Sequence, residues 1–185
     1  MSNVAPELLA VFAKAATVTE EAGKTGAIID IEQVVLDRRG LAYMGEYLRT
    51  FVGMADPAPT VIWAVDPLAL AVIAAASLRL TESWADASDG LLGVRTLANV
   101  RSHAGVRPTD RVLIVSGMAL TAEEVRETLL FVAGTGATVT ALFALVMVDD
   151  ETRDACIAGG IGTLASCVSP KDVINFKRRK EMFGG

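Results

Sequence analysis

The stretch 111-RVLIVSGMALTAEEVRETLLFVAG-134 decides how this chain is read. Four apolar residues, a short loop and an amphipathic helix give the outline of a phosphate-binding strand-loop-helix unit. The loop, 116-SGMALT-121, has one glycine and no acidic residue where such a loop would hold a metal. The outline of a site is present, and its chemistry has to be sought residue by residue.

Working outward, the next segments repeat the alternation. A strand is predicted over 138-TVTALFALVMV-148, a helix over 150-DETRDACIAG-159 and a last strand over 161-IGTLASCV-168. Gly134 and Gly136 suit the end of the first helix and the turn after it. Upstream, 60-TVIWAV-65 is an apolar run of the kind buried in a parallel sheet, and Pro67 suits the first turn of the Ala-rich helix that follows. Asp37 is placed to cap a helix over 38-RRGLAYMGEYLRTFV-52. The β-branched run 27-AIIDIEQVVL-36 predicts a strand, 6-PELLAVFAKAA-16 a helix, and TVTEEAGKTG between them a polar loop. Residues 81–105 are the least regular part, with the length of a lid or excursion. Strands alternating with helices imply a doubly wound α/β fold, a mainly parallel sheet with helices on both faces.

Bulk properties narrow the function classes. A chain of 185 residues, 52% hydrophobic and 21% charged, fits one domain with a substantial core, extending over 1–185. The formal net charge of −5 offers no positive field for a polyanion, so no nucleic acid is expected as partner. The basic cluster 177-KRRK-180 belongs to a basic C-terminal tail, 171–185, read as a solvated helix end or tail. Cys156 and Cys167 lack metal-ligand spacing and read as buried free thiols in a reducing cytosol. With a single His103, no metal site is expected. The apolar stretch 61–78 is interrupted by Asp66-Pro67 and is read as strand, turn and helix, not a membrane span. A cytoplasmic location without a membrane partner follows.

Three stretches carry a family resemblance. Residues 29-IDIEQVVLDRRGLAYMGEYLRTF-51, 105-GVRPTDRVLIV-115 and 125-VRETLLFVAGTGATVTALFALVMVDDE-151 occur in the order and spacing of the type I phosphoribosyltransferases, nearest to the orotate phosphoribosyltransferases. The second resembles the family's approach to its phosphoribosyl pyrophosphate (PRPP) motif. The resemblance implies that fold, an N-terminal helix and loop over 1–26, and a ligand site at the carboxyl ends of the strands.

At that site the chain departs from the family. The family's two acidic residues, which meet the ribose hydroxyls, are replaced by Ser116 and Gly117. Thr121 matches one family threonine, but the residues that follow are Ala122, Glu123 and Glu124 in place of two glycines and a threonine. Two carboxylates at a helix N-terminus complement its dipole and repel a 5′-phosphate. In the loop after 61-VIWAV-65 the family is glycine-rich, whereas this chain has Asp66, Pro67 and no glycine, which removes a backbone donor and adds negative charge. No lysine occurs between Lys24 and Lys171, where relatives carry mobile-loop lysines and a His-Gly pair. Arg95, Arg101 and His103 are the cations left there, His103 being a remnant lid residue or a solvated histidine. Glu21 stands where the family has a lysine, and Lys24 is a phosphate contact or a surface lysine.

The expectation is a phosphoribosyltransferase-like protein without PRPP binding or catalytic residues, acting as a binding or regulatory subunit. The resemblance implies pairing, as a homodimer or with a related phosphoribosyltransferase; Tyr43, Tyr47 and Phe51 are interface or core. The alternatives are an enzyme of the same fold using a less charged substrate, or atypical phosphoribosyl transfer. Any ligand is expected in a remnant pocket formed by Asp66, Ser116, Gly117, Met118, Ala119, Leu120 and Thr121. No cofactor is expected, Mg²⁺ entering only with the transferase reading.

Overall fold

The computed structural model describes residues 6–21, 24–80, 93–96, 106–118, 120–146 and 150–183. In chain order these form α1 (Pro6–Lys14), β1 (Ala16–Glu21), β2 (Lys24–Ile29), α2 (Ile31–Leu36), α3 (Arg38–Met54), β3 (Val61–Ala64) and α4 (Pro67–Leu80). They continue as β4 (Gly93–Thr96), β5 (Arg111–Ser116), α5 (Ala122–Ala133), β6 (Thr138–Val146), α6 (Asp150–Ala158), β7 (Thr163–Val168) and α7 (Pro170–Phe183).

Five strands form one sheet in the order β4-β3-β5-β6-β7, and every neighbouring pair is parallel. Successive side chains leave a strand on opposite faces. Ile62, Ala64, Leu113, Val115 and Phe143 accordingly enter a core shared with α1, α3, α4 and α7. Trp63, Val112, Ile114, Leu142 and Ala144 enter a second core covered by α5 and α6. Burial on both faces is why 61–64 and 112–115 are unbroken apolar runs. On the first face Phe143 lies under Tyr47 and Phe51, with ring centroids 6.1 and 5.5 Å away. Phe51 is buried and Tyr47 half-buried, so both are core residues; Tyr43 is exposed. On the second face Trp63 meets Phe131 edge-on, 5.2 Å between centroids.

Capping follows the sequence at α3 and α5. The Asp37 carboxylate accepts from the amides of Arg39 and Gly40, at 2.8 and 2.9 Å. The turn after α5 uses Gly136 at φ 81°, a left-handed conformation that glycine adopts without strain.

Three readings are corrected and a fourth is made specific. The polar segment 17–26 is not a loop: β1 and β2 form an antiparallel hairpin, with Val18 opposite Ala27 and Thr17 opposite Ile28. The predicted strand 27–36 is β2 up to Ile29 and then the helix α2. Asp30 caps α2 by accepting from Gln33 N at 3.0 Å, while Val34 and Val35 are buried, so capping and packing override β propensity. Within 81–105, the stretch Gly93–Thr96 is β4, paired in parallel with β3; the remainder of that segment, with Arg101 and His103, lies outside the described residues. The basic tail 171–185 is helix from Pro170 to Phe183, opened by Ser169 and Asp172 in a reciprocal cap. It is docked: Lys177 Nζ donates to Ala16 O, Arg178 to Thr25 Oγ1 at 2.9 Å, and Val173 is fully buried.

Both cysteines are free and buried, and burial pushes the thiols of Cys156 and Cys167 up from the ordinary range. Raising the pKa lowers the thiolate fraction at any given pH, and only the thiolate reacts. Both thiols are therefore expected to resist a disulfide reagent between roughly pH 7 and 9 in the native protein and to react once it is unfolded. Rapid native labelling of either would contradict this packing.

Candidate functional site

The sheet reverses its order at β3. The chain leaves β3 for β4 on one side and returns as β5 on the other, so the loops beyond β3 and β5 diverge and leave a crevice. A ligand of an open parallel sheet binds there. The first loop carries Asp66; the second carries Ser116, Gly117 and Met118.

These residues are brought together, by contacts within the chain. The Asp66 carboxylate lies across both loops. Its Oδ2 accepts from Gly117 N at 2.7 Å and Met118 N at 3.2 Å, and its Oδ1 accepts from Ala69 N at 2.8 Å, in the first turn of α4. One side chain thus caps α4 and closes the loop after β5. The Ser116 hydroxyl is fully buried; it donates to Met118 O at 2.6 Å and lies 3.3 Å from Asp66 Oδ2. Successive backbone amides converging on one oxygen make an anion nest, here filled by the chain's own carboxylate.

The space beside Gly117 is taken. A Cβ there would stand 2.5 Å from Leu68 Cβ, 2.6 Å from Asp66 Oδ1 and 2.8 Å from Ala69 N. The first turn of α4 therefore lies against this glycine, and no larger residue fits without moving backbone.

The start of α5 is closed in the same manner. Thr121 and Glu124 form a capping box: Thr121 N donates to Glu124 Oε2 at 2.7 Å, and Glu124 N donates to Thr121 Oγ1 at 3.3 Å. The Thr121 hydroxyl is also 2.9 Å from Glu124 Oε2. A carboxylate thus stands at the helix N-terminus, where its dipole would draw a phosphate. Leu120 is buried in the second core, and its carbonyl accepts from Thr152 Oγ1 at 3.1 Å, tying the loop to α6. Met118 is 58% exposed and fills nothing. Ala119 lies outside the described residues, as do the side chains of Glu21, Lys24 and Arg95. Among the described residues no group of three or more His, Cys, Asp or Glu side chains is placed to hold a metal ion, and no helix is long and apolar enough to cross a membrane.

A parallel five-stranded sheet, two helical layers, an N-terminal hairpin and a crevice between β3 and β5 define the type I phosphoribosyltransferase fold, and the chain has that fold. Its structural neighbours include orotate and adenine phosphoribosyltransferases. Orotate phosphoribosyltransferase from Aeropyrum pernix superposes with a TM-score of 0.68 at 18% identity, over 96% of this chain and 99% of that one. UMP synthase from Leishmania donovani gives 0.71 at 15% identity over 95% of this chain, which spans 38% of that longer protein. Adenine phosphoribosyltransferase from Leishmania donovani gives 0.63 at 12% identity, over 92% and 87% of the two chains. No protein-family model and no curated protein matches the chain by sequence.

Sequence reasoning named Asp66 as an added negative charge and grouped it with Ser116 and Gly117, but missed its position as clamp. The motif D-P at the start of a helix signals the cap; the reach to Gly117 spans 51 residues and is written in no local pattern.

Proposed function

We propose that this chain is a phosphoribosyltransferase-fold protein that does not use PRPP and serves as a binding or regulatory subunit. The observation that carries the reading is the Asp66 carboxylate seated on the amides of Gly117 and Met118 at the switch point of the sheet. A phosphate entering the crevice would have to displace an ion already hydrogen-bonded there and would meet Asp66, Glu123 and Glu124, all of its own sign. Pairing with itself or with an active relative is part of the proposal, as is a cytoplasmic location. Use of a neutral ligand in the same crevice has less support, because the hydroxyls of Ser116 and Thr121 are already engaged within the chain.

The test is a thermal-shift titration with PRPP, with and without Mg²⁺ and orotate. A ligand at a hundred times its dissociation constant stabilises a native state by about 2.7 kcal/mol, a shift of roughly 5–10 °C for a chain of this size. No shift is expected. A Mg²⁺-dependent rise in Tm with PRPP would overturn the proposal and return the chain to the transferases.

A further inference from the structure

The second core is roofed by α5 and α6, and the outer surface between them is a groove of about 820 Å³. Its α5 wall consists of Arg126, Leu129, Leu130 and Ala133. Its α6 wall consists of Glu151, Asp154, Ala155 and Ala158. Both sets have the spacing i, i+3, i+4, i+7, the stripe that one face of a helix presents over two turns, about 10 Å of axis. The floor is the start of β6, from Ala137 to Val139, and the Gly159–Gly160 turn.

Three features separate this groove from ordinary surface. It is apolar where it is open: Leu130 on one wall is 74% exposed, and Ala133 and Ala158 are exposed beside it. Its walls carry the small residues Ala133, Ala155 and Ala158, so that another helix can approach closely. Its two helices are net acidic: α5 carries Glu123, Glu124 and Glu127 against Arg126, and α6 carries Asp150, Glu151 and Asp154 against Arg153, with Glu151 and Asp154 lining the groove itself. Arg126 reaches across the mouth to Glu151 at 3.8 Å, which offsets part of its charge and leaves the rim acidic.

We propose that the α5–α6 groove docks a cationic amphipathic helix of a partner protein. Apolar residues at i, i+3, i+4 and i+7 of that helix would cover Leu130 and the alanines, and its flanking lysines or arginines would face the acidic rim. An acidic partner would meet like charge, and a neutral one would leave the rim carboxylates facing no cation. The chain's own basic helix is not this occupant. α7 packs Val173 and Ile174 inward, next to α1 and β2, and presents Lys171, Arg178, Arg179 and Lys180 outward, so it offers a second copy charge without an apolar stripe. The groove lies on the α5–α6 side of the molecule, and the inference is independent of the state of the crevice.

The probe is a fluorescent peptide with leucines at i, i+3, i+4 and i+7 and lysines elsewhere, read by anisotropy against a scrambled peptide of the same composition. Saturable binding of the patterned peptide alone is expected. Leu130→Asp, at an exposed position that leaves folding intact, should weaken it about tenfold or more. Glu151→Lys with Asp154→Lys should weaken it as well, and added salt should mimic that double variant. Equal binding of the two peptides, or indifference to Leu130→Asp, would overturn the proposal. So would a self-associated wild-type protein that Leu130→Asp dissociates, since the groove would then be covered by a second copy.

Discussion

Replacing Gly117 by Asp is expected to cost about 3–5 kcal/mol and to leave PRPP unbound, although it adds an acid to the loop after β5. The first methylene alone meets Leu68 Cβ, an Asp66 oxygen and the Ala69 amide, all inside 3.0 Å. Two of these neighbours are fixed by the first turn of α4, so the clash cannot be relieved by rotating a side chain. The new carboxylate would also lie beside Asp66. Gly117→Ala isolates the steric part and should cost about 1–3 kcal/mol. Chemical denaturation read by tryptophan fluorescence gives both values, and Gly117→Asp should lower Tm by roughly 6–20 °C. A Gly117→Asp protein as stable as the wild type would mean that α4 is not held against the loop. If it also gained a Mg²⁺-dependent response to PRPP, the closed crevice would be refuted.

Asp66→Ala should lower stability by about 2–4 kcal/mol. The loss combines the cap on Ala69 with the only acceptor the structure gives for the amides of Gly117 and Met118 among the described residues. A buried donor left without a partner costs about 1–3 kcal/mol, and a lost helix cap about one more. Asp66→Asn keeps one acceptor oxygen and should lose less than the alanine variant. The charge removed leaves an emptied nest of amides, so inorganic phosphate or sulfate should raise the Tm of Asp66→Ala more than that of the wild type. Equal anion responses in the two proteins would show that the carboxylate does not occupy an anion site. An unchanged Tm in Asp66→Ala would show that it is no clamp.

Much of the frame was legible because it is local. The cap at Asp37, the strand-loop-helix over 111–134 and the turn at Gly136 each depend on residues a few positions apart. The hairpin over 16–29 was not, because the strand character of ATVTEE and KTGAII emerges only when the two segments pair with each other. The helix α2 was hidden for the opposite reason: Ile31, Val34, Val35 and Leu36 favour strand locally, and Asp30 with the adjoining core decides for helix. The KRRK cluster is a helix end with Arg179 and Lys180 exposed, as its composition suggests; that Lys177 and Arg178 also reach the hairpin depends on long-range packing and has no local signal.

By itself, then, the sequence determined a doubly wound parallel sheet and which residues stand in the loops beyond β3 and β5, since both depend on residue type and short spacing. Only the tertiary structure decided how those residues meet. Asp66 and Gly117 lie on different loops, and the sheet order that places β3 beside β5 sets the carboxylate of one against the amide of the other. The groove between α5 and α6 likewise exists only because consecutive crossovers lay two acidic helices side by side on one face of the sheet.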